Sequence, residues 1–169
     1  MKRPAYDFIE RRFLMLRREK LKVLPGKAEP AEASGYQLDI QPGFLMRVAM
    51  QRHTSIFTSR MVEDLTQTQF AALAKLLEVG PCSQNHLGRL IYLDAATIKG
   101  VVDRLRVRGF VITSDDPKDR RRMDVALTER GRQVTEVAVK VAAEITAATL
   151  APLTPEEQRA IGKLLTKLT

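Results

Sequence analysis

Between Asp115 and Asp124 the chain sets Lys118, Arg120, Arg121 and Arg122 among the acids Asp115, Asp116, Asp119 and Asp124, eight charges in ten positions. Guanidinium groups presented at a hairpin tip suit a polyanion, because they fit a narrow minor groove of duplex DNA where the negative potential is greatest. The same acids support a plainer reading, a turn laced by salt bridges. The two are compatible if one arginine braces the turn through an aspartate and another faces outward. The acids offset most of the surplus, so one or two arginines are expected to touch DNA, and not the whole run.

A second set lies upstream. In 95-AATIKGVVDRLRV-107 the residues Ala95, Ala96, Thr97, Lys99, Gly100 and Asp103 fall mainly on one side or near the N-terminus, and Ile98, Val101, Val102 and Leu105 on the other. A helix enters a major groove only if its leading face is narrow, and alanine methyls can meet thymine methyls. Lys99 reaches phosphate or guanine, and the helix N-terminus favours a nearby phosphate. Ser83, Gln84, Asn85 and Arg104 complete the expected DNA contacts. The alternative is that Ala95 and Ala96 are only good helix formers on a solvated face. His53 stands alone on an apolar stripe, where a histidine is ordinarily a hydrogen-bonded core or interface residue. No metal cluster, glycine-rich phosphate loop or GxSxG motif is present, and neither His53 nor His86 has a recognisable nucleophile partner. The chain is not expected to be an enzyme or to need a cofactor.

These residues need elements to carry them. The 169 residues suffice for one sizeable core with appended elements; 44% are hydrophobic, 28% charged and 5% aromatic, a balance that leans toward packed helices. Net charge is +8, with excesses in 1–34 and 82–131, which favours an acidic partner. Cys82 is alone, so neither an internal disulfide nor a cysteine metal site is available. No signal-peptide core or long apolar run is evident, which predicts a soluble cytoplasmic protein with no membrane partner.

Residues 1–34 read as a basic amphipathic arm and linker, and 35–169 as one domain. Within it a long helix runs from Pro42 to about Asp64, with Met46, Ala49, His53, Ile56 and Phe57 on its stripe and Arg60 one heptad beyond His53. A helix Gln67–Val79 follows Thr66 and stops at Gly80-Pro81. A short helix covers 83–90, and Asp94 caps the helix that Gly109 closes after Arg108. Two strands, 110–114 and about 122–128, flank the charged stretch; Met123, Val125 and Leu127 show period two. The last third is helical, with a stripe of Val134, Val137, Val141, Ile145 and Ala148 and a final helix carrying Ile161, Leu164, Leu165 and Leu168. The fold class is mainly α with a small β wing: a winged helix-turn-helix lobe over 66–128, flanked by helices over 40–64 and 129–169.

The segment "DPKDRRRMDVALTERG" (116–131) resembles the wing signature of the multiple-antibiotic-resistance-regulator (MarR) family. "LTQTQFAALAKL" (65–76) and "LGRLIYLDAATIKGVVDRLRVRGFV" (87–111) match that family in order and spacing, so the resemblance covers residues 40–168. It implies a homodimeric bacterial transcription regulator, usually a repressor, that leaves its double-stranded DNA operator when a small, often aromatic effector binds, here expected to be a carboxylated or hydroxylated aromatic compound or a CoA thioester of one. It also implies that the terminal helices form the dimer and that the effector sits between the long first helix, the second helix and the dimer helices. Met50, His53, Phe57, Phe70 and Leu73 would then line the pocket. Arg47, Arg52 or Arg60 would meet an anionic group, with Arg47 off the stripe. An oxidation-sensing branch of the family carries its cysteine in the first long helix; this chain has none there, and Cys82 reads as a small residue at a helix start.

The arm is longer than the family pattern, so dimer packing and a DNA-contacting tail both stay open for it. On this reading two recognition helices enter successive major grooves of a pseudo-palindromic site, roughly 34 Å apart. The rival is a ligand-independent architectural DNA-binding protein gripping through the basic arm. A third reading is a protein-interaction module using the arm as a docking helix.

Overall fold

A computed structural model of the chain describes residues 36–115 and 123–169; the arm and the wing tip 116–122 lie outside the described residues. Helix α1 spans Pro42–Arg60, α2 Gln67–Val79, α3 Gln84–Leu90, α4 Ala95–Val107, α5 Glu129–Leu150 and α6 Pro155–Thr166. Strands β1 (Cys82–Ser83), β2 (Val111–Asp115) and β3 (Met123–Leu127) form one antiparallel sheet in the order β1-β3-β2.

Side-chain caps set most helix starts. Thr66 and Thr154 each close a capping box, with Gln69 and Glu157, while Asp94 and Thr128 accept from the backbone N–H three residues on. Each satisfies amides that a helix start leaves open. Gly80 and Gly109, at φ 77° and 72°, follow α2 and α4 in a backbone region that side chains disfavour.

The expected long helix stops short of Asp64. Met61 is already extended, and Val62–Asp64 form a 3-10 turn with Glu63 and Asp64 at φ 54° and 46°. Arg108, from the end of α4, donates to the Glu63 carbonyl and pairs with its carboxylate at 3.5 Å, and Arg130 reaches the same carboxylate at 3.8 Å. The break is held by partners distant in sequence.

The sheet has three strands where two were expected. β1 pairs Cys82 with Val125 and Ser83 with Asp124, and β2 pairs Thr113 with Val125. The core joins Leu73 and Leu76 of α2, Leu87 of α3, Ile98, Val101, Val102 and Leu105 of α4, and Phe110 and Val125, with Phe57 and Ile145 linking α1 and α5 to it. A single buried cluster therefore supports α4 from below and fixes its outer face.

Candidate functional site

Helix α4 shows the two faces expected of it. Ile98, Val101, Val102 and Leu105 are buried, Ala95, Ala96, Thr97, Lys99 and Arg104 are exposed, and Gly100 is half-buried. The Arg104 guanidinium lies across Gly100, its Nη1 3.5 Å from where a Cβ would stand. Lys99 and Arg106 both lean on Asp103, at 3.6 and 3.4 Å. Such exposed pairs are worth little, so both cations can exchange Asp103 for a phosphate.

The anion expected at this helix N-terminus is supplied by the chain itself. Asp94 accepts from the Thr97 N–H at 2.8 Å and the Thr97 hydroxyl at 2.7 Å. The backbone hydrogen bond from Thr97, then that from its hydroxyl, holds the Asp94 carboxyl below the ordinary aspartate range. A carboxyl lowered in the folded state contributes stability that is complete above the unfolded value and disappears as pH falls through the folded one. Asp94→Ala is therefore expected to lower Tm at neutral pH and to narrow the gap to wild type in strong acid, read from melting curves across that range. An unchanged gap would mean that the cap does not contribute.

Of the other expected DNA contacts, Ser83 caps α3, its hydroxyl accepting from His86 N–H at 3.3 Å. Gln84 is half-buried and Asn85 exposed. Lys118, Arg120, Arg121 and Arg122 lie outside the described residues. At the wing's base the Phe110 ring is fully buried and has two guanidinium groups near it, Arg108 at 4.6 Å and Arg130 at 5.1 Å from the ring centre. Burial, then the Asp124 carboxylate, pushes the Cys82 thiol up, which suits an unreactive residue.

The structure brings part of the expected pocket together. His53 and Phe57 have ring centres 6.2 Å apart, and Phe57 and Phe70 6.0 Å apart. His53 Nδ1 lies 3.0 Å from Thr149 Oγ1, whose hydroxyl donates to the Ile145 carbonyl at 2.8 Å. With that proton committed to Ile145, Nδ1 is the donor of the pair, and Nε2 is the ring nitrogen left for another partner. Arg52 donates to the carbonyls of Thr149 and, at 3.2 Å, Ala148, so its charge sits where the α5 dipole is negative.

The remaining pocket candidates scatter. Leu73 is completely buried and belongs to the core, and Met50 is exposed. Arg47 is exposed and stacks 4.9 Å over Phe44, and Arg60 is exposed. Thr149 was missed; its signal was a hydroxyl one helical turn beyond Ile145, inside an apolar stripe. A cleft of about 340 Å³ lined by Gln69, Asp103, Arg104, Val107 and Arg108 shares no lining residue with the His53 cluster. Among the described residues, no group of three or more His, Cys, Asp or Glu is placed to hold a metal, and no single helix is long and apolar enough to cross a membrane.

Two short helices joined by a tight turn, with the second exposing a narrow basic face and leading into an antiparallel wing, define a winged-helix DNA-binding transcription regulator. The chain belongs to the MarR family, whose model matches residues 65–123. It is 38% identical over 148 residues to the HTH-type transcriptional repressor NicR of Pseudomonas putida, spanning 87% of this chain and 93% of that one. Among solved structures it is similar to a probable transcriptional regulator from Pseudomonas aeruginosa, at 48% identity and TM-score 0.76, covering 79% of this chain and all of that one. It is also similar to Bordetella bronchiseptica BpsR, whose DNA binding is regulated by 6-hydroxynicotinic acid, at 40% identity and TM-score 0.75, covering 79% and 96% of the two chains.

Proposed function

We propose that the chain is a transcriptional repressor that binds a pseudo-palindromic operator as a homodimer and releases it when a small hydroxylated aromatic acid occupies the His53–Phe57–Phe70 cluster. The observation that carries this is the His53–Thr149 hydrogen bond of 3.0 Å. It ties α1 to the end of α5 and leaves Nε2 as the ring nitrogen available to a ligand. A ring hydroxyl donates to Nε2, the phenyl faces take the aromatic ring, and Arg52, beside the same α5 terminus, meets the carboxylate. Regulation of the similar BpsR by 6-hydroxynicotinic acid supports a hydroxypyridine carboxylate as the first compound to try. The dimer reading rests on apolar side chains at the ends of the chain's helical frame: Leu164, Leu165 and Leu168 are 59%, 48% and 71% exposed, and Leu45 and Met46 are also open. A second copy covers such a surface best.

Calorimetric titration with 6-hydroxynicotinic acid and with nicotinic acid, which lacks the hydroxyl, tests the pocket. His53→Ala is expected to weaken the hydroxylated compound about tenfold and to leave nicotinic acid little changed, the loss of one hydrogen bond in a partly buried site. Equal binding by wild type and His53→Ala would remove His53 from the site. Failure of any aromatic acid to displace DNA would favour the ligand-independent reading.

A further inference from the structure

Tyr92 sits in the turn between α3 and α4 at φ 56°, with 84% of its surface exposed. The backbone closes α3 tightly there: Tyr92 N–H donates to the Arg89 carbonyl at 3.3 Å and Leu93 N–H to the Gly88 carbonyl at 2.9 Å. This is a helix ending that turns through a left-handed residue, a place glycine fills without strain. The chain uses glycine after α2 and α4, at Gly80 and Gly109. After α3 it places a bulky aromatic residue in the disfavoured conformation, at a cost in stability. The two backbone hydrogen bonds hold the turn, but the Tyr92 side chain adds no hydrogen bond or ring contact of its own among the described residues.

The position says what lies outside. In a helix-turn-helix the second helix fills the major groove and the first crosses the backbone, so the turn between them lies along the sugar-phosphate edge. Asp94, two residues on, already occupies the α4 N-terminus with its own carboxylate. That carboxylate repels a phosphate at the helix end, so a phosphate held at the turn gains from a neutral donor set back from it. A phenol hydroxyl supplies one, and its ring covers a deoxyribose. We propose that Tyr92 is a DNA-backbone contact, its hydroxyl donating to a phosphate oxygen at the rim of the groove that α4 enters, and that the strained turn is kept for that contact. The proposal rests on α4 being the recognition helix.

The test uses the full chain and the duplex it enriches most strongly from a random-sequence pool, and measures affinity across a salt series together with Tm. Tyr92→Gly is expected to raise Tm by about 2–4 °C, the shift that relief of one strained residue gives a chain of this size. The same variant is expected to lose affinity about tenfold. Tyr92→Phe keeps the strain and the ring, so its Tm stays put and its affinity falls severalfold. Neither variant removes a cation, so neither changes the salt slope of log affinity, whereas Lys99→Ala lowers both affinity and slope, the slope by about 0.9. If Lys99→Ala weakens binding and both Tyr92 variants bind like wild type, the Tyr92 contact is wrong and the groove assignment of α4 stands. If Lys99→Ala has no effect either, the reading of α4 fails and takes the contact with it. A Tm that does not rise in Tyr92→Gly would mean that the ring serves the fold, which overturns the proposal.

Discussion

Gly131→Ala is expected to lower the stability of the chain by about 3 kcal/mol, well beyond the usual range for a single added methyl. The position is the first turn of α5, where a glycine-to-alanine change ordinarily stabilises by improving helix propensity. Here a Cβ would overlap the Phe110 carbonyl oxygen and stand 2.8 Å and 3.1 Å from the Phe110 carbonyl carbon and Cα. These are backbone atoms, and they are pinned. The Phe110 carbonyl accepts from Thr128 N–H at 3.0 Å, and Thr128 Oγ1 donates to the Gly109 carbonyl at 2.7 Å while accepting from Gly131 N–H at 2.9 Å. The Phe110 ring cannot yield either, since it is completely buried. The methyl must separate α5 from the joint where α4, the wing and the last helices meet. Thermal melting should show a fall in Tm of roughly 6–12 °C. The same change at Gly162, where a methyl meets nothing within 4 Å, should leave Tm equal or higher. Equal melting of wild type and Gly131→Ala would show that the joint is slack.

What the sequence made legible was whatever local chemistry writes. Thr66 and Asp94 mark helix starts by accepting from the amides that follow, and Gly109 marks an end, so α2 and α4 are bounded almost as read. The alternation in Met123, Val125 and Leu127 gave β3 for the same reason. Where a feature depends on distant partners the reading faltered. α1 ends at Arg60 because Arg108 and Arg130 hold Glu63 in a left-handed turn, and nothing within the helix itself announces that. β1 is two residues long, too short for any period to show.

The stripe on α5 was read in part. Val134, Val141 and Ile145 do pack on the core, yet Val137 is 49% exposed, and hydropathy passed over Gly131, Thr135 and Ala138, which are buried. Close helix approach selects small residues, and the Thr135 hydroxyl is no burden because it donates to the Gly131 carbonyl at 2.6 Å. Thr149 escaped notice for the same reason: its hydroxyl is satisfied by Ile145, which leaves its oxygen to orient His53. A hydropathy scale counts both threonines as polar and cannot register a hydroxyl already paired within its own helix. The candidate pocket was thus half legible, in its aromatic rings and not in the group that aims its histidine.

The second large effect belongs to the exposed face of α4. Ala96→Glu is expected to cost on the order of 100-fold or more in affinity for double-stranded DNA while leaving Tm unchanged or slightly raised. The two signs have one origin. Ala96 is exposed in the first turn, where a carboxylate interacts favourably with the helix dipole and suits the free protein. On DNA the same charge faces the groove rim and its phosphates, and like-charge juxtaposition across an interface costs several kcal/mol, each 1.4 kcal/mol being about tenfold. Asp94 does not set a precedent for tolerance, since both of its oxygens are bound to Thr97 and a glutamate at 96 would have no such partner. Ala96→Lys separates charge from bulk: it adds a side chain of similar length with the opposite sign. If the groove excludes size alone, both variants lose affinity equally. If charge dominates, the lysine variant binds within a few-fold of wild type, more tightly at low salt, and with a steeper salt slope. Fluorescence anisotropy on a labelled duplex measures all of these. Wild-type affinity in Ala96→Glu would mean that the narrow face of α4 does not enter DNA, and that its two alanines are there only because alanine forms helices well.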